Sequence, residues 1–139
     1  MGKADTVTLN DGRGAPRRSM RTRGDAYSAN CPCRDLLEVV ANKWAALAIG
    51  ALAAEGTLRF GELQRRLEGV SPKVLTATLR RLEDFGLVRR EVLPAVPLHV
   101  EYSLTEVGSS AVGPVFGMRE WAESHYAHAL AHAERPADH

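Results

Sequence analysis

Between Leu67 and Leu75 the chain reads Glu68-Gly69-Val70-Ser71-Pro72-Lys73-Val74, a stop followed at once by a start. Gly69 allows a tight turn, Ser71 is a good N-cap, and Pro72 fits the first helical position, where its missing N–H is not needed. The segment before the turn, Gly61 to Leu67, places Leu63 and Leu67 inward and Arg65 and Arg66 outward, as a short helix would. The segment after it runs as a helix to about Phe85, and Gly86 stops it. Next come Leu87 to Leu93 and Leu98 to Leu104, with β-formers at alternate positions and Pro94-Ala95-Val96-Pro97 between them. Two short helices around a tight turn, followed by a two-stranded ribbon, make a winged helix-turn-helix over Leu58 to Thr105. The predicted fold class is mainly α with a small β-ribbon (α+β), with extra N- and C-terminal helices.

The flanks fit that frame. Pro32 opens a first helix with Leu36, Leu37, Val39 and Val40 on its apolar side, and Asn42 caps a second. In the second, Trp44, Leu47, Ala48, Ala51 and Leu52 follow one apolar stripe, and Gly56 ends it. Leu58 to Phe60 is long enough only for a pinned edge strand. Thr105 caps a last helical region that Gly113-Pro114 is expected to bend or break, with Val115, Met118, Trp121, Ala122 and His125 continuing at helical spacing beyond.

A chain of 139 residues has room for one core. Residues 1–28, rich in Gly, Arg, Ser and Asp, read as a flexible basic arm, residues 29–139 as the winged helix domain, and 106–133 as C-terminal dimerisation helices. The net charge of +1 hides a polarity. Residues 1–30 carry six basic against three acidic side chains and residues 59–91 eight against five, whereas residues 105–139 carry two against five. Positive charge is therefore concentrated on the arm and the helix-turn-helix. No apolar run approaches the ~20 residues that span a bilayer, and the N-terminus lacks the apolar core of a signal peptide, so a cytoplasmic location with no membrane contact is expected.

At 100° per residue, Leu75, Leu79 and Leu82 fall within one narrow arc of the helix after Ser71. Lys73, Ala77, Arg80 and Asp84 lie opposite, flanked by Thr76 and Arg81. Such a face is either an ordinary solvated one or a reader of DNA, and its position between a short helix and a ribbon favours the reader. Arg89 and Arg90 lie at the base of the ribbon and His99 near its tip, where phosphates would be met. A helix of about 14 residues is ~21 Å long and reaches few base pairs, so specificity calls for two half-sites and a two-fold dimer.

Cys31 and Cys33 are the only cysteines. Expected at the N-cap and in the first turn of the first helix, both would gain from the helix dipole and free N–H groups, which favour thiolate. Packed, inert thiols are the alternative. A bridge between them across one proline is expected to be strained, leaving a bond between subunits or to a small thiol as the product of oxidation. His125, His128 and His132 share a helical face and suit a metal in type, but their two-turn span chelates poorly; no metal or other cofactor is expected. Nothing supports an enzyme: there is no phosphate-cradling Gly loop, no Ser-His-Asp arrangement and no carboxylate pair in an apolar context.

Several short motifs align in order: Cys31-Pro32, Lys43-Trp44, Arg59-Phe60-Gly61-Glu62-Leu63 and Ser71-Pro72-Lys73-Val74-Leu75-Thr76. Leu79-Arg80-Arg81-Leu82-Glu83, Gly86-Leu87-Val88-Arg89-Arg90, and Val100-Glu101-Tyr102-Ser103-Leu104-Thr105 with Gly108 follow. In these the chain resembles the HxlR-type winged helix regulators of bacteria, a branch related to MarR-like proteins, over about two thirds of its length. The resemblance implies a homodimeric, sequence-specific regulator of transcription, often a repressor, on a double-stranded DNA operator. It implies that the Ser71 to Phe85 helix is the reader, and with the helical wheel and the ribbon the expected DNA-facing set is Arg59, Ser71, Pro72, Lys73, Thr76, Ala77, Arg80, Arg81, Arg89 and His99. It also implies that Cys31 can sense oxidants or electrophiles; Cys33, one proline away, is a second redox-sensing candidate by its position alone. The chain departs from the family pattern in carrying Leu98-His99 where Pro-Arg is common, and Cys33 where an apolar residue is usual. Two other readings stand beside this one: a small-molecule effector bound at the dimer interface near Trp44 and Trp121, and a winged helix used only for protein contacts.

Overall fold

In a computed structural model of the chain, residues 23–134 are described. They fall into two units that divide between Arg34 and Asp35. The expected basic arm lies outside the described residues up to position 22, including Arg13, Arg17, Arg18 and Arg21. The elements are α1 (Cys33–Val40), α2 (Lys43–Glu55), β1 (Thr57–Arg59), α3 (Phe60–Arg66) and α4 (Pro72–Asp84). They continue with β2 (Val88–Leu93), β3 (His99–Leu104), α5 (Glu106–Ser110) and α6 (Val112–Ala133).

Caps set most of these boundaries. The side chain of Asn42 accepts hydrogen bonds from the N–H groups of Trp44 and Ala45, both at 3.0 Å, and Gly56 closes α2. Ser71 Oγ accepts from the N–H of Val74 at 3.1 Å, with Pro72 in the first position of α4. Gly69, at φ +93°, supplies the left-handed residue of the turn between α3 and α4. The three strands are antiparallel in the order β1-β3-β2. β1 adds to the expected ribbon by pairing Leu58 with Tyr102, while Arg90 pairs with Tyr102 from the other side.

The core forms where α2 and α4 meet the inner sheet face. Ile49 and Leu52 of α2, Leu63 of α3, and Leu75 and Leu82 of α4 are the largest fully buried side chains, with Leu79, Leu87, Val88 and Val115 packed among them. The leucine seam of α4 is the expected one, joined by Thr78, whose polar side chain the pattern did not place inside. In α2 the buried set is Ala45, Ala48, Ile49, Ala51 and Leu52. Trp44 and Leu47, expected in that stripe, are only half-buried.

Two expectations about helix ends are corrected. α1 starts at Cys33, so Pro32 takes the cap position and Cys31 lies before it. Gly113-Pro114 does not break the last helix: the break falls at Ala111, and Pro114 is the third residue of a continuous α6. The first four N–H groups of a helix have no partner within it, so proline there loses nothing.

The end of α4, the base of the ribbon and the start of α5 are tied at one corner. Leu87 N–H donates to Leu82 O (2.9 Å), Thr105 N–H to Leu87 O (3.1 Å), and Thr105 Oγ1–H to Gly86 O (2.6 Å). Gly108 N–H then donates to Thr105 Oγ1 at 3.0 Å, and a Cβ on Gly108 would collide with the carbonyl of Leu87. Gly108→Ala is therefore expected to lower stability by about 1–3 kcal/mol. Gly113→Ala, where a Cβ meets nothing within 4 Å, is expected to be neutral or slightly stabilising. Thermal unfolding of the two variants separates them.

Candidate nucleic-acid interface

Because its leucine arc is buried, α4 presents the opposite arc to solvent. Lys73, Thr76, Ala77 and Arg80 are all exposed and line one shallow surface with Pro72. A groove of about 400 Å³ runs from this surface toward the sheet, with Thr76, Arg80 and Glu83 of α4 on one side and Arg90 and Tyr102 on the other. Arg80 and Arg90 thus converge on one groove. Arg90, at the base of the ribbon, stands outside the DNA-facing set expected from the sequence. Its pairing opposite Tyr102, on the inner sheet face, is what brings it there, and strand alternation alone could have distinguished it from Arg89.

The remaining candidates are spread more widely. Arg89 pairs with Ser103, and Arg59 with Glu101, on the outer face of the sheet. Glu101 also lies directly opposite Glu91, and its Oε2 is 3.5 Å from Nε2 of His99. His99, expected as a phosphate contact near the tip, is half-buried and engaged with a carboxylate on its own strand. Arg81 turns away from the arc of Lys73, Thr76 and Arg80: its guanidinium approaches Glu38 of α1 at 3.9 Å and lies over the ring of Phe85, 5.5 Å from the centroid. Glu62 accepts from Arg59 N–H at 2.8 Å, fixing the start of α3.

The thiols occupy the described part of the first unit. Cys31 Sγ accepts hydrogen bonds from the N–H groups of Asp25 (3.3 Å) and Cys33 (3.4 Å), and faces Cys33 Sγ at 2.6 Å. Both cysteines are free and half-buried. The hydrogen bond from the Cys33 thiol, then those from the two backbone N–H groups, hold the Cys31 thiol below its ordinary pKa. Donating to Cys31, and then burial, push Cys33 up. The expectation that both are lowered is thus corrected for Cys33, and the cause at Cys31 is local hydrogen bonding, with the residue lying outside the helix. The two sulfurs also face one another across Pro32.

On α6, His125 stacks on Trp121 at 4.9 Å and His128 on His132 at 6.1 Å. Among the described residues no three or more His, Cys, Asp or Glu side chains gather as metal ligands, and no single helix is long and apolar enough to cross a membrane. Trp44 lies by Gly69, at 3.8 Å from the position of a Cβ there, while Trp121 is largely exposed.

Known proteins share this architecture. The profile of the HxlR-like helix-turn-helix family matches residues 39–129. The HTH-type transcriptional regulator YtfH of Escherichia coli K12 is 40% identical over 108 residues, covering 78% of this chain and 85% of its own length. The solved structure of ytfH from Salmonella typhimurium is similar at TM-score 0.75 and 39% identity, over 81% of this chain and 100% of that one. The redox regulator HypR in its reduced form is similar at TM-score 0.64 and 37% identity, over 72% of this chain and 98% of that one.

Alkylation of Cys31 by iodoacetamide is expected to have its midpoint below the ordinary thiol range, since the thiolate is the reacting form. Cys33→Ala removes the foremost cause and is expected to move that midpoint up. Rates measured from pH 5 to 10 with peptide mass readout check both; coincident profiles would contradict the assignment.

Proposed function

The chain belongs to the HxlR-like helix-turn-helix family of DNA-binding transcriptional regulators, and we propose that it acts as a homodimeric repressor on a near-palindromic operator, responsive to oxidants through Cys31. The observation that carries the DNA mode is the two-sidedness of α4. Leu75, Leu79 and Leu82 are buried while Lys73, Thr76, Ala77 and Arg80 are exposed along the other side. In this reading α4 enters the major groove, Arg80 reaches base edges, and Arg90 across the groove meets the phosphate backbone with Arg89 and Arg59 farther out.

Dimerisation is assigned to α6. It runs for 22 residues, about 33 Å, and Met118, Trp121 and Leu130 remain half or more exposed along it. Covering these side chains with the same helix of a second copy removes apolar area from water and sets two α4 helices on one duplex. The oxidant response rests on the depressed thiol of Cys31 and on likeness to HypR, which is described as a redox regulator.

Fluorescence anisotropy with the intergenic DNA upstream of the chain's own gene tests the DNA reading. Affinity is expected to fall steeply between 50 and 200 mM salt, with roughly 6 to 10 phosphates neutralised per dimer; a salt-independent signal would sink it. Arg80→Ala is expected to lower discrimination of operator over random DNA by about 1–3 kcal/mol, whereas Arg90→Ala weakens both alike and reduces the salt slope by about one.

Sedimentation velocity tests the α6 assignment. Trp121→Asp with Leu130→Asp is expected to convert dimer to monomer and to lose operator binding with the helical signal intact. If Cys31→Ser protein leaves DNA under diamide as readily as the parent, Cys31 is not the switch.

A further inference from the structure

The second thiol has a structural setting of its own. Cys31 and Cys33 are the only cysteines, so a bond within one chain has a single pairing. Their sulfurs already face one another at 2.6 Å, so closing the bond needs little movement of either side chain, and the strain expected of a bridge across one proline makes the bond readily reducible. The loop before α1 closes on both sulfurs: a Cβ on Gly24 would stand 2.7 Å from Cys31 Sγ and 2.9 Å from Cys33 Sγ. Arg34 pins that loop by donating to the carbonyls of Ala26 (2.8 Å) and Tyr27 (3.2 Å), and Cys31 N–H donates to Ser28 O at 3.2 Å. An open groove of about 480 Å³, lined by Arg23, Asp25, Ser28 and both cysteines, leaves room for a small peroxide.

From this arrangement we propose that Cys33 is the resolving thiol of Cys31, so that a hydroperoxide closes a disulfide within one chain. The inference rests on the reading of Cys31 as the oxidant-responsive thiol. Cys31 thiolate attacks the distal oxygen of the hydroperoxide; an S–O bond forms, the O–O bond breaks, and the departing alkoxide or hydroxide takes a proton. Cys33, having released its proton, attacks Cys31 Sγ and expels the oxygen as water. Two thiols and one hydroperoxide give one disulfide, one alcohol (water when the oxidant is hydrogen peroxide) and one further water. The peroxide accepts the two electrons that the sulfurs lose. The closed bond removes the thiolate that accepts from the Asp25 and Cys33 N–H groups, which loosens the loop.

The test treats the reduced full-length protein with one equivalent of hydrogen peroxide and reads intact mass, peptide mass and a non-reducing gel. The expected result is a monomer-sized band lighter by two hydrogens, both cysteines blocked to alkylation, and full reversal by dithiothreitol. In Cys33→Ser, Cys31 sulfenic acid is expected to persist long enough for dimedone to trap it and then to overoxidise to sulfinic acid. A covalent dimer as the main product of the parent overturns the resolving role while leaving Cys31 as the sensor. Unmodified thiols at one equivalent overturn both readings.

Discussion

The packing of α4 on α2 carries the rest of the structure. Leu75 and Leu82 are wholly buried and Leu79 nearly so, against Ile49 and Leu52, which are buried to the same degree. Each large side chain of this kind is worth roughly 1.5–3 kcal/mol when fully removed from water, and leaving a hole costs more. The seam therefore fixes the rotation of α4 about its axis. Everything on the opposite arc follows, because residues on one helix cannot turn independently. A rotation that relieved the seam would carry Arg80 out of the groove it shares with Arg90.

The seam sets rotation; the Gly86–Leu87 corner sets where the ribbon leaves. The carbonyls of Leu82, Gly86 and Leu87 all have partners, and two of those partners belong to Thr105. One residue thus ends the ribbon and caps α5, and its hydroxyl accepts from Gly108 as it donates to Gly86. Strand β3, central in the sheet, is held on both edges by β1 and β2. The result is that α4, the ribbon and the start of the C-terminal helices are tied within a few residues, which gives the assigned dimer helix a short mechanical path to the assigned reading helix.

Much of this was legible because it is local. Asn42, Ser71 and Thr105 act as caps within three residues of their own positions, and the 3.6-residue period marks Leu75, Leu79 and Leu82 without knowledge of their partners. What failed was either featureless locally or set by distant residues. α2 is apolar around nearly its whole circumference, so period could not choose between Trp44 and Ile49. Pro114 reads as a breaker anywhere but in a first turn, and the position of that turn depends on Ala111. Arg81 sits on the flank of the predicted face, and only the approach of Glu38 from α1 shows which way it turns. The meeting of Cys31 and Cys33 depends on Gly24 and Arg34 closing a loop, which spacing of the cysteines does not reveal.

The departure at Leu98-His99 gains a physical meaning from the register of the sheet. A row runs across its outer face from Arg59 through Glu101 to Glu91, with His99 adjacent to Glu101 on the same strand. Two carboxylates opposed on neighbouring strands repel, and Arg59, which pairs opposite Glu101 from β1, offsets that cost. Positive charge set beside these carboxylates attracts phosphate less strongly than charge that stands alone. The outer ribbon face thus carries nearly balanced charge, whereas Lys73, Arg80 and Arg90 stand toward the groove with Glu83 as their acidic neighbour there. The attraction for nucleic acid in the proposed binding mode is therefore centred on α4 and the inner base of the ribbon, and the ribbon tip acts through its shape.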